Sequence, residues 1–282
     1  MENTELIRRR LIDADKAAYG RNILKVCGFL SLEEQSIYHS LEHEFMSTQH
    51  FLSGGTEDAD RAAALFLPDY MDSDTAENET LCALIVKPAN KRFADELTHR
   101  DYLGALMNLG IERECIGDIM VKPASRAFAN ETDERDREGK STFLNAADAS
   151  AVIFVLRDMA EYVCRELTKV KHTTVECSLQ ELSEYRVSGA AFTQEYEELH
   201  VNIASERVDA VTAAVYRISR QKAADVIAAE RVFINGRAVS SAGKTLKNGD
   251  RVSVRGTGKY IFDGINGTSR KGRLYADIRK FV

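Results

Sequence analysis

Two histidines and a glutamate near the start of the chain are spaced so that they could perform hydrolytic chemistry. His39, Glu42 and His43 fit the pattern H-x-x-E-H, in which two histidines on one helical face hold zinc and the glutamate acts as a base. The sequence marks no third ligand, and five-residue patterns often arise by chance. Exposed helical histidines are therefore the favoured interpretation, and a zinc metalloprotease is the least favoured function.

Basic residues are concentrated in the last third of the chain, where the chemistry open to them is phosphate binding. Residues 200–282 hold sixteen Lys and Arg against seven Asp and Glu, a net charge of +9. Residues 1–199 hold 22 basic and 37 acidic residues, a net charge of −15. One end of the molecule should attract a polyanion and the rest should repel it. This asymmetry favours a defined RNA-binding surface over a generally basic protein.

Two short helices and a β-hairpin are predicted to carry these cations. Apolar residues from Val208 to Ile218 recur at offsets of three and four, which places them on one helical face. Ser219 is predicted to cap a second helix. Asn235-Gly236 is a type I′ turn signal between two short apolar strands, and Asn248-Gly249-Asp250 marks a further turn before a third strand.

These motifs together resemble the RNA-binding domain named after small-subunit ribosomal protein S-four. The resemblance covers Arg207–Val254 and includes the R-x-D start, the S-R-x-x-A second helix, the V-x-I-N-G hairpin and the N-G-D turn, in the right order. In related small factors with this domain, the arginines that open the two helices contact RNA. The matching positions here are Arg207 and Arg220.

The predicted RNA-binding residues are the basic and polar side chains of this platform and of the tail that follows it. In the tail, Arg255–Lys259 and residues 267–273 combine glycines, which let the backbone approach a polyanion closely, with further positive charge. The full predicted set is Arg207, Arg217, Ser219, Arg220, Gln221, Lys222, Arg231, Asn235, Arg237, Lys244, Lys247, Arg255, Lys259, Arg270, Lys271 and Arg273.

The predicted fold class is α+β with three domains. Residues 1–76 are predicted to be mostly helical, with a helix at 57–67 that Pro68 ends and an acidic linker at 69–79. Residues 77–182 alternate strand and helix in the order β-α-β-β-α-β, which suggests a ferredoxin-like domain with a hydrophilic insert at 124–148. Residues 183–282 form the S-four-type domain with a basic β tail.

The middle domain is not predicted to stack bases on its sheet. RNA-recognition motifs stack bases on aromatic residues of their central strands. The strand Leu81–Val86 has no aromatic residue, and the strand Ala151–Leu156 has only Phe154. A scaffold or a contact with the RNA backbone is the favoured role.

Three segments together resemble the YlmH family over nearly the whole chain. They are Thr98–Arg113 with Ile116–Ile119, the stretch from Gly54-Gly55 to Asp60-Arg61, and the basic tail. The resemblance implies an RNA-binding protein of the large ribosomal subunit, with rRNA as partner and tRNA as an open second candidate. It also implies a role in ribosome-associated quality control, in which a stalled nascent chain remains attached to tRNA. The insert at 124–148 departs from the family pattern.

An RNA-modifying enzyme of the pseudouridine synthase type, or an accessory factor, is the main alternative. Such a synthase needs an aspartate in a G-R-L-D-like loop, and the one near match, Glu206–Asp209, belongs to the predicted RNA-binding helix. No Gly-rich loop follows a strand, as a methyltransferase would require. We therefore predict a protein that is not an enzyme, with no catalytic residues, metal, cofactor or small-molecule substrate.

The composition is that of an ordinary globular protein of a reducing compartment. Hydrophobic residues make up 44% of the chain and charged residues 29%, which excludes the disordered class. The five cysteines are scattered and odd in number, as expected for free thiols rather than a disulfide set. No apolar run approaches the ~18 residues of a membrane helix. We expect a cytoplasmic protein without a membrane partner.

Overall fold

The computed structural model describes residues 2–47, 49–56, 59–90, 94–122, 150–188, 196–270 and 272–281, so the insert at 124–148 lies outside the described residues. Helices and sheets are both extensive, and the predicted α+β class is confirmed. The chain divides into two compact units, residues 1–31 with 41–193 and residues 32–40 with 194–282. No helix among the described residues is long and apolar enough to cross a lipid bilayer.

The helices are α1 (Glu2–Arg21), α2 (Leu32–Leu41), α3 (Ser73–Thr80), α4 (His99–Asn108), α5 (Arg157–Glu166), α6 (Leu182–Ser188), α7 (Val208–Val215) and α8 (Arg220–Ala228). The strands are β1 (Lys25–Leu30), β2 (His50–Ser53), β3 (Ala62–Phe66), β4 (Leu81–Pro88), β5 (Ile116–Val121), β6 (Ala151–Leu156), β7 (Lys169–Val170), β8 (Thr173–Glu181), β9 (Tyr196–Ile203), β10 (Val232–Ile234), β11 (Arg237–Ala238), β12 (Asp250–Val254), β13 (Gly258–Thr268) and β14 (Leu274–Phe281).

The N-terminal segment contains a sheet, so the prediction of a mostly helical segment is wrong. β1, β3 and β2 form an antiparallel sheet with β3 in the middle. The residues predicted as a helix at 57–67 include β3, in which every residue from Ala62 to Phe66 is buried. A continuous apolar run lacks the one-sided period of a surface helix, so its neighbours in space decide its structure.

The predicted linker at 69–79 contains most of a helix. Asp72 caps α3, and its Oδ1 accepts a hydrogen bond from the Thr75 N–H at 2.8 Å. That bond lowers the pKa of Asp72 below its usual value. Only Ala76 and Glu77 of α3 are buried, so the sequence has no apolar stripe from which to predict a helix.

The central sheet has the strand order β5-β6-β4-β8-β7, and neighbouring strands are antiparallel. With α4 after β4 and α5 after β6, this connectivity is that of a ferredoxin-like unit. The short strand β7 was not predicted. Residues from α4 and α5, such as Leu106 and Val163, pack on one face of the sheet. Phe29 and Leu65 of the N-terminal sheet join Phe154 in the core on the opposite face.

Two residues of the family-like segments tie the N-terminal sheet to the central sheet. The Asp118 carboxylate accepts hydrogen bonds from the backbone N–H groups of Asp60 at 2.6 Å and Arg61 at 3.2 Å. The Arg61 guanidinium donates to the carbonyls of Ile116 at 3.1 Å and Arg113 at 3.2 Å, and also to the Phe29 carbonyl. Asp118 therefore has a structural role rather than an acid–base one.

The second unit is built on an antiparallel sheet of six strands in the order β11-β10-β12-β13-β14-β9. Val208 and Val211 of α7 and Ile227 of α8 pack with Val252 and Phe262 of the sheet. The tail after Val254 is a long hairpin, β13–β14, that continues the sheet. The boundaries predicted for the three domains stay predictions.

Candidate nucleic-acid interface

The starts of α7 and α8 hold the two arginines that the sequence singled out. Arg207 is the N-cap residue of α7, and Arg220 is the first residue of α8. Ser219 caps α8 as predicted, because its Oγ accepts a hydrogen bond from the Lys222 N–H at 3.1 Å. Arg217 lies in the turn between the helices, is exposed, and has a φ of 52°.

A buried carboxylate brings these two arginines together. Arg207 donates from Nε and Nη2 to the two carboxylate oxygens of Asp209, at 3.2 and 3.1 Å. Arg220 donates to the same two oxygens from Nε at 3.0 Å and from Nη2 at 3.3 Å. The Asp209 side chain is 6% exposed, whereas those of Arg207 and Arg220 are 44% and 48% exposed. Two cations are thus held side by side with nearly half of each open to solvent.

The ionised form of Asp209 is the stable one. Burial by itself raises the pKa of this carboxyl group, but the hydrogen bonds and charges of Arg220 and Arg207 more than offset it, and the pKa lies below its usual value. The carboxylate therefore accepts both arginines throughout the neutral pH range. Two positive and one negative charge leave a net positive surface.

Two lysines complete what we call the helix-start cluster, defined as Arg207, Arg220, Lys222 and Lys244. The Lys244 carbonyl accepts a hydrogen bond from the Val208 N–H at 2.8 Å, which fixes its backbone beside the start of α7. Lys222 lies in the first turn of α8. Both lysines are exposed, and within the described part of the chain their ammonium groups form no ion pair.

Arg231 and Arg255 form a separate pair beyond the other end of α8. Arg231 donates from Nη2 to the Arg255 carbonyl at 2.8 Å. The Arg255 guanidinium forms an ion pair with Glu33 of α2, within the second unit. α8 has nine residues, which separates its two ends by about 13 Å. These arginines therefore do not join the helix-start cluster.

The cations of the tail tip lie at the far end of β13 from Arg255. Arg270 is exposed in the β13–β14 turn, and Arg273 donates from Nη2 to the Asn202 carbonyl at 2.8 Å. β13 has eleven residues, which at the usual rise is about 33 Å. Lys259 makes a cation–π contact within the fold, with Nζ 4.8 Å from the centre of the Phe281 ring. Lys271 lies outside the described residues.

Three predicted polar or basic residues already have partners in the fold. Asn235 adopts a φ of 50° and Gly236 a φ of 77°, which confirms the type I′ turn. The Asn235 amide donates to Asp250 at 2.9 Å, and its oxygen accepts the Arg251 N–H at 2.9 Å.

Gln221 and Arg237 are the other two predicted residues that already have partners in the fold. Gln221 donates from Nε2 to Asp225 at 2.9 Å, and Arg237 Nη2 lies 3.5 Å from His39 Nδ1. Lys247, the remaining residue of the predicted set, is exposed.

Sequence reasoning missed Asp209 as a member of the site. The signal was present in the R-x-D start of α7. A carboxylate two residues after an arginine that is predicted to bind phosphate suggests repulsion of the ligand until its burial is known. Among the described residues, no group of three or more His, Cys, Asp or Glu side chains is placed to hold a metal ion. His39 packs edge to face on Tyr38, with ring centres 5.5 Å apart.

The chain is similar to known proteins in its middle segment and over most of its length. Residues 79–134 match the family model described as "Putative RNA-binding domain in YlmH". "Ribosome-associated protein quality control protein P2" of Bacillus subtilis (strain 168) is 26% identical over 253 residues, which cover 89% of this chain and 84% of the relative. "Cell division protein ylmH from Streptococcus pneumoniae" aligns with a TM-score of 0.45 and 18% identity over 65% of this chain and 94% of that one. The family model and the relative agree with the segments that resemble the YlmH family.

Proposed function

We propose that this protein is a non-enzymatic RNA-binding protein that associates with ribosomes. The observation that carries the proposal is the Asp209 clamp, which presents Arg207 and Arg220 side by side and half exposed. The relative from Bacillus subtilis is named as a ribosome-associated quality control protein, and the family model describes an RNA-binding domain. Both support a ribosomal RNA target.

The helix-start cluster suits a phosphate backbone. Each guanidinium offers a planar fork of N–H donors, which matches two phosphate oxygens or stacks on an unpaired base, while the lysines act as point charges. Arg207 and Arg220 keep donors for a ligand, because each uses only two nitrogen atoms on Asp209. Such binding requires no bond to be made or broken.

The finer part of the proposal is that the RNA is rRNA of the large subunit, with tRNA as a second partner. A factor that holds a stalled peptidyl-tRNA complex needs two separate phosphate-binding surfaces, one for rRNA and one for tRNA. The pair of Arg231 and Arg255 and the separate cations of the tail tip would allow this, since Arg255 and Arg270 lie at opposite ends of β13. Crosslinking followed by sequencing of the bound RNA would identify the partner.

Sedimentation with purified large ribosomal subunits tests the main proposal. Arg207→Ala and Arg220→Ala should each weaken binding about tenfold at moderate salt, because each removes a charge-assisted contact. Arg220→Lys should recover part of the loss, since it restores the charge without the fork. Arg9→Ala, at an exposed arginine of α1, is the matched control.

Each variant must first show an unchanged thermal unfolding profile. If both arginine variants then sediment with large subunits as the wild type does, the helix-start cluster is not the binding surface and the proposal is wrong.

A further inference from the structure

An open cleft of about 540 Å³ lies on the ferredoxin-like unit, between α4 and the segment that follows α5. One wall is α4, which contributes Arg100, Gly104 and Asn108, and the other runs from the end of α5 into β7, with Glu166, Lys169 and Lys171. This volume falls within the usual range for ligand sites. All of these residues belong to the first compact unit.

Two cations of the cleft form no ion pair with any other residue that the structure describes. Lys171 pairs with the Asp101 carboxylate at 2.9 Å, and Glu166 pairs with Arg165 at 2.8 Å. Both carboxylates of the cleft are thereby neutralised. Arg100 and Lys169 are exposed and form no ion pair within the described ranges. An otherwise acidic part of the chain thus presents a local excess of positive charge on opposite walls of one cleft.

Gly104 opens the α4 wall of the cleft, and packing does not explain its presence. It lies inside α4, where a glycine costs about 0.5–1 kcal/mol of stability relative to alanine. A Cβ atom built on Gly104 has no heavy atom within 4 Å, so the fold has room for a side chain here. The absent side chain leaves the α4 backbone accessible within the cleft.

The sheet of this unit is closed to RNA on both faces. β4 is buried from Leu81 to Val86, and β6 from Ala151 to Val155. Helices α4 and α5 cover one face, and the N-terminal sheet packs on the other. Base stacking on the central strands, as in an RNA-recognition motif, has no surface on which to occur. RNA contact by this unit must therefore use its helices or edges.

We propose that this cleft is a second RNA-binding site, in which Arg100 and Lys169 contact phosphates and the RNA backbone passes over Gly104. The proposal rests on the proposed RNA-binding function and adds a surface separate from the helix-start cluster. Residues 79–134, which match the RNA-binding family model, include one wall of the cleft and not the other.

The test uses the full chain and fluorescein-labelled oligouridylate, with affinity measured by fluorescence anisotropy over a series of salt concentrations. The slope of log affinity against log salt is negative, and each single-strand phosphate contact contributes about 0.7 to its magnitude. The double variant Arg100→Ala with Lys169→Ala should therefore reduce this magnitude by about 1.4. Arg207→Ala reports on the helix-start cluster in the same assay.

Gly104→Ala separates a ligand site from a structural role. It should raise the midpoint of thermal unfolding, because alanine favours the helix. It should also raise the Kd for oligouridylate about fivefold, because the added methyl group keeps RNA away from the α4 backbone. Gly20→Ala is the matched control, since Gly20 is also helical and an added Cβ there meets no atom within 4 Å. It should stabilise the fold and leave the Kd unchanged.

The two proposals fail in different ways. If Arg207→Ala weakens oligouridylate binding while Gly104→Ala and the double variant do not, the cleft is not an RNA site and the proposed function stands. If the cleft variants weaken binding to large subunits but not to oligouridylate, the cleft contacts another component of the subunit and its assignment as a site for an RNA strand is overturned. If the wild type binds no RNA at low salt, both proposals fall.

Discussion

At the scale of single residues, Asp209 decides how the two helix-opening arginines can act. Without it, Arg207 and Arg220 would repel each other and sample many rotamers, and RNA binding would have to order both. The clamp orders them in advance, which would lower the entropic cost of the proposed RNA binding. The identity of both arginines was predictable from the motifs of the sequence. Their bridging was not, because it depends on the packing of α7 against α8.

We expect Asp209→Asn to lower the free energy of unfolding by about 1–2 kcal/mol at neutral pH. The change leaves two guanidinium groups facing a neutral amide, and the exposed half of each arginine limits the loss. Urea unfolding of the variant and the wild type measures the difference. Asp225→Asn, at an exposed carboxylate in α8, should change stability little.

The same variant predicts a pH dependence. Because the pKa of Asp209 is lowered in the folded state, its contribution is present above the pKa of the unfolded carboxyl group and is lost as the pH falls through the folded value. The stability difference between wild type and Asp209→Asn should therefore shrink below about pH 4. A difference that is constant from neutral to acidic pH would show that the carboxylate charge is not the cause.

At the scale of elements, the sequence predicted those whose signals are local. The cap at Ser219 and the turn at Asn235-Gly236 depend on a few adjacent residues and were found. β3 was predicted as a helix, because its strand character comes from pairing with β1 and β2. β7 and α3 were missed for a related reason, since neither is long or apolar enough to stand out.

One glycine in β1 shows what this non-local packing requires. The register of β1 with β3 shifts between Cys27 and Phe29, and Gly28 lies at that irregularity. A Cβ on Gly28 would lie 2.5 Å from the Glu114 carbonyl oxygen, which is backbone and cannot move aside cheaply. Gly28→Ala should destabilise the protein by about 1–3 kcal/mol.

Thermal or urea unfolding of Gly28→Ala would show the effect, with Gly20→Ala as the comparison at a glycine that has open space around it. Equal stability of the two variants would mean that β1 and the Glu114 turn are not in close contact.

At the scale of the whole molecule, the division of charge sets how the protein meets a polyanion. Residues 200–282 carry a net charge of +9 and residues 1–199 a net charge of −15. Composition was sufficient to predict this asymmetry, because counting charges along the sequence requires no three-dimensional structure. The grouping of the cations required the structure, which separates Arg231 and Arg255 from the helix-start cluster and Arg270 from Arg255.

Binding to RNA should weaken steeply with salt. If the four residues of the helix-start cluster each neutralise one phosphate of duplex RNA, affinity should fall about a hundredfold between about 50 and 200 mM monovalent salt. Arg220→Ala should reduce the magnitude of the negative slope of log affinity against log salt by about 0.9. Titrations at several ionic strengths measure both values, and a salt-independent affinity would rule out phosphate contacts as the main source of binding.

The pairing of β9 with β14 has a consequence for the order in which the molecule assembles. The ladder runs from Leu274 opposite Ile203 to Phe281 opposite Tyr196, and His200 meets Asp277 across 77 residues of chain. During synthesis β9 emerges long before its partner has been translated, so its amide and carbonyl groups are left to water in the interval. The second unit can therefore complete its six-stranded sheet only after β14 has been translated.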